Sequence, residues 1–116
     1  MARNKREITY VHAAPAAITQ VVAELGRNIA TARRRRRWRQ KDLAEKAGIT
    51  RATLIAIEQG KLGTGIGAYA AVLWALGLHG DVAELAAPTR DLEGATLEAA
   101  RLPLRVRPPS SLSDEF

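Results

Sequence analysis

The sequence predicts an all-α fold: a compact helical domain with an N-terminal arm, a C-terminal helical extension and a flexible tail. Apolar residues recur at the three- and four-residue spacing of amphipathic helices from Ile18 onward, with no parallel-sheet pattern and no internal repeat. Glycines and short polar capping residues break that spacing at close intervals, as helix ends require. A chain of 116 residues, 47% hydrophobic and 4% aromatic, has enough for one core and too little for two. The expected division is an arm over 1–17, a domain over 18–78, an extension over 79–102 and a tail over 103–116.

Residues 1–17 hold a β-like run, Glu7-Ile8-Thr9-Tyr10-Val11, and an Ala/Pro stretch around Pro15, which reads as an arm rather than core. Val21, Val22, Leu25, Ile29 and Ala32 then predict a long amphipathic helix over roughly 18–36. A short helix over 40–47 turns Leu43, Ala44 and Ala47 inward, sets Asp42 against its positive dipole end and stops at Gly48. Thr50 is the expected N-cap of a third helix, 51–59, with Leu54 and Ile57 inward and Gly60 at its end. Ile66 to Leu78 predicts a fourth, with Ile66, Tyr69, Val72, Leu73 and Leu76 on one side. Tyr69 reads as core and Trp74 as an exposed anchor for a dimer or another protein. Asp81, with Glu84 three residues on, is expected to cap a short fifth helix, and Asp91 a last one over 92–101 that Pro103 ends. The Pro- and Ser-rich stretch Arg105 to Ser111 has the composition of a flexible tail.

Charge narrows the function. Eighteen Lys and Arg against twelve Asp and Glu give +6, and the excess is local: residues 27–61 carry eleven basic and three acidic groups. Residues 62–100 carry one and five, so a basic middle adjoins an acidic second half. A polyanion, if bound, binds at 27–61. With no cysteine there is no disulfide framework, thiolate nucleophile or zinc finger. His12 and His79 lack partners at ligand spacing, so neither a metal nor a cofactor is expected. Gly63-Thr64-Gly65-Ile66-Gly67 resembles a phosphate loop only superficially, following a helix and lacking the Gly-Lys-Ser/Thr ending. No catalytic set stands out, so an enzyme is not expected. The basic start lacks the apolar run of a secretory signal, and Ile66 to Leu78 falls short of the roughly twenty residues a membrane span needs. A soluble, cytoplasmic protein is expected.

From Gln40 to Gln59 a small residue (Ala44), a turn glycine (Gly48), a cap (Thr50) and core aliphatics (Leu43, Ile49, Leu54, Ile57) agree over twenty residues with two helices meeting at a sharp corner. The run Gln40-Lys41-Asp42-Leu43-Ala44-Glu45-Lys46-Ala47-Gly48 resembles the XRE family, the Cro/C1-type helix-turn-helix proteins. The resemblance covers residues 22–78 and implies a compact five-helix lambda-repressor-like domain that places its third helix in the major groove of double-stranded DNA. Carried over by position, it makes Arg51, Ala52, Ile55 and Ala56 the base readers, with Gln40 and Thr53 touching phosphate or flanking bases; Arg39, which departs from the family, is expected to reach the backbone, and Thr50 is expected to bind DNA beside them. Arg51 can fork onto guanine O6 and N7, worth about 1–3 kcal/mol against a wrong base; the alternatives are a solvated first-turn residue or a phosphate clamp. The same resemblance implies a structural ion pair between Arg33 and Glu58.

Arg34 to Arg37 read as a face toward solvent or phosphate, although a localisation or RNA-binding tract has the same composition. Arg37-Trp38-Arg39 stands where the family has Gly-Leu-Thr, which removes a helix-stop glycine and an N-cap hydroxyl while Trp38 can still fill the core position. Beyond Leu78, the Leu73 to Leu78 run, the Asp81 to Ala86 segment, Arg90-Asp91-x-x-Gly94 and Arg101 to Arg107 resemble the C-terminal part of HipB-like antitoxins. That resemblance implies a homodimer on a palindromic operator that represses its own operon and binds a HipA-like kinase toxin. The alternative is a stand-alone XRE-type regulator without a toxin; an RNA-binding or structural adaptor is a third reading, from another class.

Overall fold

The computed structural model describes residues 15–101. The strand-like run Ile8 to Val11, Pro103 and the tail lie outside the described residues. All regular structure among the described residues is helical, as the apolar spacing predicts: α1 Ala16–Arg35, α2 Gln40–Ala47, α3 Arg51–Glu58, α4 Ile66–Leu76, α5 Gly80–Ala83, a 3-10 turn Pro88–Arg90 and α6 Leu92–Arg101. The chain divides after Val82 into two compact units.

In the first unit, Ile29 of α1, Leu43 and Ala44 of α2, Leu54 and Ile57 of α3, and Val72 and Leu76 of α4 form one buried cluster. Leu25, Trp38, Ile49, Tyr69 and Leu73 pack around it, half-buried. Each fully buried aliphatic is worth about 1.5–3 kcal/mol relative to exposure, so burial here outweighs the helix propensities. Helix α1 seats on the end of α3 through Gly26. A Cβ there would stand 2.5 Å from the Ile57 carbonyl oxygen and 2.8 Å from that of Glu58, so only glycine permits the approach.

Helices α1 to α4 all end in the same way, with a backbone N–H of the residue after a left-handed one reaching back five positions. Trp38 N–H donates to the Arg33 carbonyl, Ile49 to Ala44, Lys61 to Ala56 and Leu78 to Leu73. Glycine holds the left-handed position in three of these ends; in α1 it is Arg37, at φ 58°. The absent stop glycine therefore leaves the turn geometry intact, at about 1–2 kcal/mol of left-handed strain.

Several expectations need correction. Val21 is 62% exposed, because the first two turns of α1 extend past the core; Val22 is only partly covered, and Leu25, Ile29 and Ala32 are the predicted residues that reach the core. Ile66, the first residue of α4, is 68% exposed for the same reason: periodicity gives a face but not the neighbour's length. Helix α4 ends at Leu76, since Gly77 takes the left-handed position at φ 80° before Leu78 can continue it. Asp81 is not a cap: α5 starts at Gly80, Asp81 lies within its first turn, and Glu84 falls beyond it.

The second unit consists of the 3-10 turn and α6. Asp91 caps α6, its Oδ1 accepting the Gly94 backbone N–H at 2.9 Å, and a Cβ on Gly94 would overlap that carboxylate. Arg90 and Glu84 face each other across 3.7 Å, both solvated, a pair worth little. No residue of α6 is buried, and Leu85, Leu92 and Leu97 are exposed. Among the described residues no helix is long and apolar enough to cross a membrane.

Candidate nucleic-acid interface

Helices α2 and α3 meet at the turn Gly48-Ile49-Thr50, where Gly48 adopts φ 74°. The Thr50 hydroxyl accepts the Thr53 backbone N–H at 3.1 Å and lies 2.9 Å from the Thr53 hydroxyl, fixing the first turn of α3. That cap leaves Arg51 and Ala52 exposed on the first turn, with Thr53, Ile55 and Ala56 half-buried behind them.

The start of α2 is built differently from an ordinary capped helix. Arg39 occupies the N-cap position, and an arginine side chain has no acceptor to offer. Half of a capping box survives: the Asp42 carboxylate accepts the Arg39 backbone N–H at 2.8 Å. The Arg39 side chain leans on the same carboxylate at 3.3 Å while remaining largely solvated. These contacts, the backbone N–H first and the guanidinium second, hold the Asp42 carboxyl below its usual value of 3.8. A depressed folded pKa means that the cap stabilises above the usual carboxyl range and is lost as pH falls through the lowered value. Asp42→Asn should therefore be less stable than the parent at pH 7, and the gap should narrow as the pH is lowered through the acid range, as read by urea denaturation across that range.

Behind this surface an ion pair joins three segments. Arg33 Nε donates to Glu58 Oε2 at 2.7 Å and Arg33 Nη2 to Oε1 at 3.1 Å, a bidentate pair with side chains 11% and 6% exposed. Arg33 Nη1 also donates to the Trp38 carbonyl at 2.9 Å, and Gln40 Nε2 to Glu58 Oε1 at 3.0 Å. One guanidinium thus ties the end of α1 and the following turn to the end of α3, and Glu58 orients Gln40. Lys46 lies 4.7 Å over the Trp38 ring, which packs where the turn meets the core.

The result is a shallow depression lined by Arg33, Arg39, Gln40, Lys41 and Arg51, at the N-terminal ends of both helices. Arg39, Lys41 and Arg51, an amide and two positive dipole ends suit an anion such as a phosphate, while the charge of Arg33 is balanced by Glu58. Of the residues singled out in the sequence, the structure gathers Arg33, Arg39, Gln40 and Arg51 here; Thr50, Ala52, Thr53, Ile55 and Ala56 lie outside the depression, on α3 and its cap. Sequence reasoning missed Lys41, although its place beside Gln40 in a basic segment was visible. No group of His, Cys, Asp and Glu among the described residues could hold a metal.

A family model described as a helix-turn-helix domain matches residues 24–86, more than half of the chain. The chain belongs to that family. It is an XRE-like, DNA-binding helix-turn-helix protein. No curated protein and no solved structure matches it. The family match begins within α1 and ends past α5, so it spans the elements that build the basic depression of this helix-turn-helix protein.

Proposed function

We propose that this helix-turn-helix protein is a sequence-specific transcriptional repressor that binds a palindromic operator as a homodimer. The reading rests on the convergence of Arg39, Gln40, Lys41 and Arg51 at the N-termini of α2 and α3, beside an α3 surface open from Arg51 to Ala52. In it the depression grips phosphates, Arg51 reads a guanine edge, and Ala52 and Ala56 offer methyl contact to thymine. Helix α4 supports the homodimer. It carries no charged side chain and leaves Trp74 61% exposed, an apolar surface that a second copy would cover. Dimeric half-sites would lie about one helical turn apart, roughly 34 Å.

In binding assays on selected and mixed-sequence duplexes, Arg51→Ala should relax preference at one base pair of each half-site, by about 1–3 kcal/mol. Arg39→Ala should weaken every sequence alike and flatten the log-log salt slope by about 0.9. Equal losses from both changes on both duplexes would overturn the assigned roles.

The finer reading makes the protein the antitoxin of a HipBA-like pair, which also represses its own operon. Exposed Leu85, Leu92 and Leu97 in the second unit support it, as a surface that a protein partner would cover. Asp91-x-x-Gly94 adds no weight, being accounted for by the cap of α6. Co-expression with the product of the adjacent gene decides the matter by gel filtration: a co-eluting kinase supports the antitoxin, and its absence favours a stand-alone regulator.

A further inference from the structure

The arginine run divides into two kinds. Arg33 is held by Glu58 and the Trp38 carbonyl, and Arg36 donates to the Ala32 carbonyl at 2.8 Å and the Leu76 carbonyl at 2.9 Å, closing the ends of α1 and α4. Arg34, Arg35 and Arg37 are exposed, and their side chains make no hydrogen bond or ion pair among the described residues. Cations in the last turn of a helix suit its dipole, which accounts for Arg34 and Arg35 as structure. It does not account for Arg37, which sits past the helix end in a conformation that favours glycine. The turn bearing Arg37 is fixed beside the basic depression, because Arg33 holds the Trp38 carbonyl and Gln40 begins three residues later.

We propose that Arg34, Arg35 and Arg37 form a ledge that grips duplex phosphates outside the base pairs read by α3. The proposal rests on the DNA-binding reading above and extends its surface. Duplex DNA carries one negative charge per about 1.7 Å, so a duplex seated in the depression runs on past its edge with phosphates to offer. Guanidinium forks match phosphate oxygens, and residues 34–39 include no acidic side chain to compete. The ledge meets no base edges, so it raises affinity and salt dependence without adding specificity.

Fluorescence anisotropy across a salt series tests this with three labelled duplexes: one of mixed sequence, one enriched by in vitro selection, and the latter trimmed to its selected core. The variant Arg34→Gln/Arg35→Gln/Arg37→Asn removes the charges while keeping a residue that tolerates the left-handed position. Arg27→Gln, also exposed on α1 but two turns earlier, is the control for long-range charge. The triple variant should flatten the salt slope by about 2–3, near 0.9 for each phosphate no longer neutralised. It should weaken selected and mixed duplexes by the same factor and abolish any preference for the flanked over the trimmed duplex. An unchanged slope, an intact flank preference, or a loss from Arg27→Gln as large as that from Arg37→Asn alone would overturn the proposal. So would tighter binding of a structured RNA hairpin than of duplex DNA, lost in the triple variant. If the triple variant fails to fold by circular dichroism, Arg37→Asn alone carries the test, with an expected slope change of about 0.9. Failure of the DNA-binding reading looks different: the parent protein would enrich no sequence, and Arg51→Ala would change nothing.

Discussion

Gly26→Ala destabilises the first unit by about 1–3 kcal/mol, although alanine is the better helix former. In an exposed helix the change would gain about 0.5–1 kcal/mol from backbone entropy. Here the new methyl meets two backbone carbonyl oxygens, of Ile57 and Glu58, at 2.5 and 2.8 Å. Those atoms belong to the end of α3 and cannot step aside as a flexible side chain would. Relief requires α1 to lift from α3, which opens the seam beside Ile29 and Ile57 and stretches the Arg33–Glu58 pair. Urea denaturation should show a lower midpoint with an unchanged m-value, and Gly26→Val should do more harm than Gly26→Ala. A raised midpoint for Gly26→Ala would mean that α1 does not seat on α3 in this way.

Glu58→Ala is the other large effect, a loss of about 3 kcal/mol or more. With side chains 11% and 6% exposed, the pair is buried enough that removing the carboxylate strands the Arg33 guanidinium among carbonyls and apolar groups. It also leaves Gln40 Nε2 without its acceptor and frees the first residue of α2. The cost belongs mostly to the orphaned charge rather than to the attraction between the two groups. Arg33→Met combined with Glu58→Leu should therefore recover most of the loss. A double-mutant cycle measures this directly, and additive single losses would refute the account. DNA affinity should stay depressed in the recovered double variant, because Gln40 is no longer oriented.

The corner between α2 and α3 was legible because its signals are local. Gly48 and Thr50 act within a few residues of their place in the chain, and Leu43, Leu54 and Ile57 declare their inward face by helical spacing alone, whichever distant partners they meet. What the sequence hid depends on distant neighbours. Gly26 looks like a weak point in a helix until the Ile57 and Glu58 carbonyls are brought beside it. The exposed Val21 and Ile66 fall on the correct helix faces but outrun the elements opposite them. Asp81 failed because a cap and a first-turn acid differ by one residue, a margin that composition does not resolve. In the interface, Arg39 and Arg51 stand out as charges, whereas the tie from Gln40 to Glu58 joins residues eighteen apart and has no local trace. Arg36 reads as one more surface arginine, yet it serves two helix ends by bonding carbonyls that every sequence has.

Under the proposed pairing of two copies along the uncharged helix α4, this molecule would have two faces that answer oppositely to ionic conditions. Added sulfate or phosphate salts favour contact along its tryptophan side, since such ions strengthen the burial of apolar groups. The same salts loosen the grip of the arginines on a nucleic-acid backbone. Copies pairing through α4 would thus hold together in the very buffers that strip them from DNA, so a dimer isolated at high salt would arrive already free of its operator.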